Sequence, residues 1–310
     1  MSIKVSVIVP VFNASNYIER CIYSLFDNTI ADECEFIIVD DCSTDSSVLL
    51  IERIISERKD KNIKLIKHHY NKGAAAARNT ALNIAKGEYV IFVDSDDWVE
   101  KNYLELLYDN AMQNDSDITM CGLYKESETD SKIISFEIKE NSDYVNDLLT
   151  EALPGWLWIK LFRLEFLKRN NIHFIDNINI CEDLIFCLKA FSATKNISYV
   201  DKSLYHYNIM NQNSLTSTMT TDKVQQLISA VEIIEKLLDG KYQSSLLNLK
   251  SRIKIWILKK IDDITPYITL YNECKLSHCA NSSLLNRLFF LLCEKKMLVL
   301  IKLIIRYKDR

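Results

Sequence analysis

Glycine and proline are scarce, with five and three in a chain of 310 residues. Long flexible linkers and low-complexity segments draw on those residues and are not expected. Excess positive charge is missing too. The 38 Lys and Arg stand against 42 Asp and Glu, for a formal net charge of −4, which argues against a general nucleic-acid binder. The nine cysteines are odd in number and form no C-x-x-C pair. They read as reduced cytosolic thiols, mostly small core residues, not as a disulfide or zinc framework. No apolar run of about 18 residues is present to span a bilayer, and no internal repeat is visible. Ser2-Ile3-Lys4 lead straight into a strand, without the charged leader and apolar core of an export signal. No G-x-G-x-x-G follows the first strand and no G-x-x-x-x-G-K-[ST] occurs, which removes the dinucleotide fingerprint and the P-loop. The remaining composition, 48% apolar and 26% charged, is ordinary for a globular protein of one large domain or two.

What is present centres on Tyr89-Val90-Ile91-Phe92-Val93-Asp94-Ser95-Asp96-Asp97. A short β-branched and aromatic run predicts a buried strand. It ends in three carboxylates within four residues, which repel one another unless a cation or a hydrogen-bond network holds them ionised. In an open parallel sheet the ligand crevice lies at the strand C-termini. A divalent cation on hard oxygen ligands, itself gripping phosphate oxygens, accounts for the cluster. The alternative is an acidic turn, for which Asp-Ser-Asp-Asp is also suitable chemistry.

Val5-Ser6-Val7-Ile8-Val9-Pro10-Val11-Phe12 predicts a first buried strand whose ladder Pro10 ends, for want of an N–H. A helix follows, with Asn16 and Glu19 as its capping box. Phe36-Ile37-Ile38-Val39 is a second strand, ending in Asp40-Asp41-Cys42, and a helix covers 48–58. A third strand over 63–67 leads through Asn71-Lys72-Gly73 into an Ala-rich helix over 74–86, with Gly87 as its stop. This alternation predicts right-handed βαβ units, an α/β fold with helices on both faces of a parallel sheet. Asn13, Asp40/Asp41 and Asp94/Asp96 would then converge on one rim.

Val7-Ile8-Val9-Pro10-Val11-Phe12-Asn13, Val39-Asp40-Asp41-Cys42-Ser43-Thr44-Asp45-Ser46, Asn71-Lys72-Gly73 with Ala77-Arg78-Asn79, and Val93-Asp94-Ser95-Asp96-Asp97 together resemble, in order and spacing, the inverting family 2 glycosyltransferases of GT-A fold, of the bacterial cell-surface polysaccharide type. The resemblance implies a nucleotide-sugar donor, most often a UDP-sugar, bound through Mn²⁺ or Mg²⁺. It places Pro10, Val11 and Asn13 around the base and Asp41, with Asp40, on the uracil. Gly73, Arg78 and Ser95 join the donor-binding set, with Asp94 near the ribose and Asp96 on the metal. Cys42 and Ala81 stand where the family usually carries glycine. Read without the family, Asp41 could cap a helix beginning near Ser43, and Arg78 could be a surface charge.

Farther along, 102–113 predicts a core helix and 117–124 a strand, while 125–141 is a hairpin or a mobile segment near the acceptor. Gly155-Trp156-Leu157-Trp158-Ile159-Lys160 is similar to family segments beside the donor and acceptor, so Trp158, Lys160 and Asp97 are assigned to the sugar pocket; paired indoles are also common core material. Cys181-Glu182-Asp183 resembles the family's Glu-Asp motif, with Asp183 as base and Glu182 its neighbour. Two acids opening a helix over 182–192 would also suit its dipole. His206 completes a metal site or packs on an aromatic strand. The catalytic domain is expected over 1–218 and a helical region over 219–310, with helices at 222–239, 244–264 and 282–308. The basic amphipathic stretch 286–310 lies on a membrane interface or packs on protein. The expected protein is an enzyme at the inner face of the cytoplasmic membrane, acting on a glycan or lipid-linked acceptor. A sugar nucleotidyltransferase would more often carry a glycine-rich basic loop where this chain has Asn13-Ala14-Ser15. The acids at 41, 94, 96 and 183 argue against an inactive sugar-nucleotide-binding scaffold.

Overall fold

The computed structural model describes residues 3–136, 142–211, 219–261, 263–275, 277, 287–288, 290–292, 295 and 297. Two compact units are present: Met1–Ser142 with Gly155–Gln212, and Asp143–Pro154 with Asn213–Arg310. The sequence division at 218/219 therefore misses a crossover, because 143–154 leaves the first unit for the second.

In the first unit, strands β1 (Val5–Val11), β2 (Cys34–Asp40), β3 (Ile63–Lys67), β4 (Tyr89–Phe92), β5 (Trp98–Val99), β6 (Ile118–Glu126), β7 (Ser131–Ile134), β8 (Lys160–Arg163) and β9 (Ile197–Asn208) form one sheet. Its order is β3-β2-β1-β4-β8-β6-β9-β5, with β7 paired to β6. The helices, in chain order, are α1 (Ile18–Phe26), α2 (Ser47–Glu57), α3 (Ala74–Leu82), α4 (Tyr103–Gln113), α5 (Tyr144–Thr150), α6 (Leu164–Arg169), α7 (Glu182–Ala193), α8 (Thr221–Leu238) and α9 (Gln243–Lys260). Of these, α5, α8 and α9 belong to the second unit.

The half-sheet β3-β2-β1-β4 is parallel and in step. β1 pairs β2 from Val5↔Cys34 to Val11↔Asp40, and β4 from Val5↔Tyr89 to Ile8↔Phe92. The C-terminal ends of β1, β2 and β4 thus lie side by side. Pro10 does not end the strand, contrary to the sequence reading. Ile8 accepts from Val93 N at 2.9 Å and Val11 from Asp41 N at 2.8 Å. In a parallel ladder alternate residues bond opposite neighbours. The missing N–H of Pro10 therefore faces the β4 side, where pairing has already stopped, and the β2 ladder continues past it.

Both sheet faces are covered, which explains the near-continuous apolar strands. Val5, Val7, Val9, Phe36, Ile38 and Ile91 join α1, α2 and α4 in the main core. On the opposite face Phe92 packs edge-on to Phe174 and Phe186, with centroids 5.4 and 5.6 Å away. There α3 buries Ala75, Ala77 and Ala81 completely. Side chains this small let a helix lie close on a sheet, and larger ones would overpack it by about 1–3 kcal/mol.

Several helix ends differ from expectation. The N-cap of α1 is Tyr17, with no side-chain cap, and Glu19 instead pairs with Arg53. α3 stops at Leu82, and Gly87 is needed for close approach: a Cβ there would collide with the Ser6 backbone. The 125–141 segment forms a hairpin as far as described, with β7 antiparallel to β6; residues 137–141 lie outside the described set.

In the second unit Asp143 caps α5 by accepting from Asn146 N, and Thr220 caps α8 by accepting from Lys223 N. Arg252 of α9 donates to Leu149 O of α5 at 2.9 Å. α9 ends at Lys260, short of the expected 264. The stretch 286–310 lies largely outside the described residues, but Phe290 and Leu292 are buried against α9 in a small apolar cluster. Among the described residues no helix is long and apolar enough to cross a membrane.

Candidate active site

The loops after β1 and β2 are zipped together. Asn13, with φ of 50°, accepts from Thr44 N at 2.8 Å, and its own N–H donates to Ser43 Oγ at 3.0 Å. Ser15 N donates to Asp45 Oδ2 at 3.0 Å. Asn13 is exposed and Pro10 half-buried on this rim, while Val11 is buried.

Asp40 and Asp41 are both 3% exposed. Asp40 accepts from Ser43 N. Asp41 accepts from Lys72 N at 2.9 Å and Gly73 N at 2.7 Å. His68 Nδ1 lies 2.7 Å from Asp41, and its Nε2 lies 2.9 Å from Thr80 Oγ1. Asp41 therefore shapes the loop that starts α3; neither carboxylate, which the resemblance puts on the base, stands free at the rim. Asp41 is not a helix cap either. Cys42, at the family's glycine position, has φ of 66°; a left-handed turn here costs a side chain roughly 1–2 kcal/mol.

α3 carries the frame of the site. Arg78, buried at 5% side-chain exposure, reaches Asp94 at 3.0 Å, Glu182 at 3.0 Å and Asp183 at 3.2 Å. It is neither a surface charge nor a group facing open solvent; it ties the end of β4 to the start of α7. Burial would lower its pKa, but Asp183, Asp94 and Glu182 reverse that and raise it, so it stays charged. Asn79 holds the loop before α7 by accepting from Phe174 N and donating to Phe174 O, each at 3.0 Å. Asn179 accepts from Ala75 N at 3.3 Å. Its amide fills the space beside Gly73, where φ is 89° and any Cβ would overlap it. Asn79 sits within a motif quoted above; nothing in the sequence pointed to Asn179.

Asp183 keeps 23% of its side chain exposed. Burial, offset by Arg78 and reinforced by Glu182, pushes its pKa up to about 8. Glu182 is 12% exposed. One arginine thus faces three carboxylates, and local negative charge is in excess.

Asp94, Ser95 and Asp96 are half-buried at the rim, whereas Asp97 is buried. Asp97 accepts from Tyr205 OH at 2.7 Å and Asn208 N at 2.8 Å, and Tyr205 OH in turn accepts from Asp94 N at 3.1 Å. The turn is also held from outside, where Arg20 lies 3.5 Å over the Trp98 ring and donates to Asp96 O at 3.3 Å. Asp96 accepts from Asn211 Nδ2 at 2.8 Å. Burial and Asp94 raise the Asp96 pKa; burial, then Asp96 and Asp94, raise that of Asp97. Hard oxygens in surplus negative charge fit a hard divalent cation. Among the described residues no three His, Cys, Asp or Glu side chains are grouped as a metal site; an ion held by Asp96 would draw the rest of its shell from water or phosphate oxygens.

His206 is corrected as a ligand. Its Nδ1 lies 2.7 Å from Glu126 and its Nε2 3.0 Å from Glu100. The ring stacks between Trp98 and Tyr124, at 5.0 and 4.6 Å. With both nitrogens committed, it staples β5 to β6. Asp97, Trp158 and Lys160, at 0%, 3% and 0% exposure, offer no surface to a sugar either. Trp158 stacks on Tyr205 at 4.4 Å, and Lys160 donates to Trp156 O. All seven cysteines among the described residues are free, five of them buried.

The sequence model described as Glycosyl transferase family 2 matches residues 6–177. The uncharacterized glycosyltransferase EpsJ of Bacillus subtilis is 36% identical over 68% of this chain and 62% of its own length. The poly(ribitol-phosphate) beta-N-acetylglucosaminyltransferase TarS of Staphylococcus aureus is 30% identical over 79% of this chain and 43% of its own length. The chain thus spans less than two thirds of the length of either curated relative. Among solved structures, S. aureus TarS 1-349 in complex with UDP-GlcNAc aligns with a TM-score of 0.70 at 22% identity, covering 99% of this chain and 92% of that one. The mannosyltransferase PcManGT from Pyrobaculum calidifontis, in complex with GDP-Man and Mn²⁺, aligns at 0.58 and 18% identity, over 100% and 84%.

Proposed function

The chain belongs to glycosyl transferase family 2 and has the GT-A fold, and on that premise we propose that it transfers one sugar from a nucleoside-diphosphate donor to an acceptor hydroxyl with inversion. The observation that carries this reading is the Arg78 cluster, which gathers Asp94, Glu182 and Asp183 from distant parts of the chain. The step forms a bond from the acceptor oxygen to the anomeric carbon and breaks the bond from that carbon to the diphosphate. The hydroxyl proton passes to Asp183, whose partly exposed carboxylate is the base. Arg78, itself held by Glu182, fixes its orientation, and a pKa pushed up to about 8 makes it a stronger base than an ordinary aspartate. Asp96, with Asp94 beside it, would hold Mn²⁺ or Mg²⁺, which offsets charge growing on the leaving diphosphate.

A UDP-sugar is the donor we assign, supported by the UDP-GlcNAc bound in the TarS structure. For the acceptor we assign a hydroxyl of a cell-surface glycan, by analogy with relatives named as poly(ribitol-phosphate) glycosyltransferases. A lipid-linked form of that acceptor would bring the protein to the cytoplasmic membrane face as a peripheral enzyme. Calorimetry with UDP and Mn²⁺, followed by metal-dependent hydrolysis of a panel of UDP-, GDP- and CDP-sugars, tests the donor. Asp183→Asn should abolish transfer while leaving UDP affinity within about threefold, because only proton removal is lost. Near-normal transfer by that variant would remove Asp183 from its role.

A further inference from the structure

The sheet face away from α4 opens beside the hairpin. Cys121 and Leu123 of β6 share the main core with Tyr103, Leu104 and Leu107 of α4, so Gly122 and Tyr124, which alternate with them, point to the other face. There β9 carries two extra residues. Cys121 pairs with Val200 but Gly122 with Ser203, and the bulge leaves Asp201 and Lys202 exposed. Gly122 permits the close approach, because a Cβ on it would lie 3.0 Å from both Ser203 Oγ and Ile134 O. The bulge lines a cavity of about 500 Å³, within the range that small ligands occupy.

The acids at the end of β4 and around Arg78 are engaged by the protein, whereas the polar groups of this cavity are not. Among the described residues Asn102, Tyr124, Ser135, Asp201, Lys202 and Ser203 line it and make no side-chain hydrogen bond. Glu100, also in the wall, commits one oxygen to His206 Nε2 at 3.0 Å. Tyr124 is held by its stack on His206, and its cross-strand partner Ile133 is 61% exposed. Hydroxyls, an amide and carboxylates that donate and accept thus stand beside apolar carbon on rigid strands. Glu100 and Asp201 outnumber Lys202, which disfavours a phosphate-bearing ligand. Neutral sugar rings, with a hydroxyl rim and C–H faces, match both kinds of surface. The cavity also stands apart from the reacting centre. Asn208, which donates to Asp97, is five residues along β9 from Ser203, roughly 16 Å of strand.

We propose that this cavity on the β6–β9 face is a second glycan-binding site, which holds a neutral oligosaccharide segment remote from the hydroxyl that reacts. It rests on the transferase reading for the source of its occupant, and it uses neither the cation nor the base. Wild type, Asn102→Ala and Asp201→Ala are applied, without nucleotide or metal, to an array of defined bacterial surface glycans, neutral and phosphate-bearing. Neutral glycans should bind wild type. The dissociation constant of the strongest binder, read by calorimetry, should rise about tenfold or more in each variant. Neither residue is buried, and an unchanged Tm shows that the fold is kept. Ile133→Arg, whose long side chain would occupy the cavity, should weaken the same glycan as much and serves as the independent variant. No neutral glycan bound by wild type, undiminished binding by the three variants, or tighter binding of phosphate-bearing chains each overturns the proposal. UDP and Mg²⁺ are titrated into a separate portion of each sample. UDP binding without a variant-sensitive glycan sinks only this site, whereas no UDP binding to wild type sinks the transferase reading itself.

Discussion

Arg78→Met gives the sharpest test of the site's electrostatics. Arg78 is 5% exposed, and its partners Asp94, Glu182 and Asp183 keep 31%, 12% and 23%. Methionine fills similar space but leaves three carboxylates facing one another without a cation. Removing one partner from a buried ion pair costs roughly 3–5 kcal/mol. For a unit of about 200 residues each kcal/mol is worth about 2–4 °C, so the expected drop in Tm is roughly 6–20 °C at pH 8. The pH dependence follows from the same acids. Without Arg78 the pKa of Asp183, already raised by burial, rises further above its unfolded value near 4, so ionisation costs stability increasingly as pH rises past that point. At pH 5 the cluster can take up protons and the gap between variant and wild type should narrow. Differential scanning fluorimetry at pH 5, 6, 7 and 8 reads this directly. A drop under 2 °C at pH 8, or an equal drop at pH 5 and pH 8, would refute the claim that Arg78 holds an excess of ionised carboxylates.

Asp183, with its pKa pushed up to about 8, must be unprotonated to act as base. The kcat/KM of transfer should therefore climb about tenfold per pH unit from pH 6 and level off above about 8; a flat profile over that range counts against the assignment. Asp96→Ala should abolish Mn²⁺-dependent strengthening of UDP binding in calorimetry, by more than about tenfold if the ion is held there. An unchanged metal effect moves the cation elsewhere. Gly73→Ala should lower Tm by several degrees and raise the KM for donor, because a Cβ at φ of 89° would displace Asn179 from the frame that positions α7. The comparable Gly240→Ala, with φ of 75° and open space around it, serves as a control for backbone strain alone. Equal losses of stability in the two variants would leave no role for the Asn179 contact.

The parallel half-sheet could be read in the sequence because its strands are covered on both faces, so burial writes an unbroken apolar run into each one. The strand ends were equally legible, since acids at the close of such runs have no use in the core. Local order misled at the helix ends. Asn16 and Glu19 have capping spacing, but the chain enters α1 at Tyr17, and Glu19 finds a partner on α2. Gly87 looks like a stop signal, yet contact with Ser6, 81 residues away, is what requires it.

By itself the sequence determined the α/β class, the rim of carboxylates and the family, because these depend on periodicity and on motifs whose residues lie next to one another. Only the tertiary structure decided which of those residues stay open at the rim and which are buried behind it. Asp41, Asp97, Trp158, Lys160 and His206 share motifs or segments with the site, but each spends its polar or aromatic surface on holding it together. Conversely, Arg78 gains its role from contacts 16 to 105 residues away, and Asn179 from the N-terminus of α3, 104 residues before it in the chain. Side-chain exposure and hydrogen-bond saturation depend on those distant neighbours, and no local pattern encodes them.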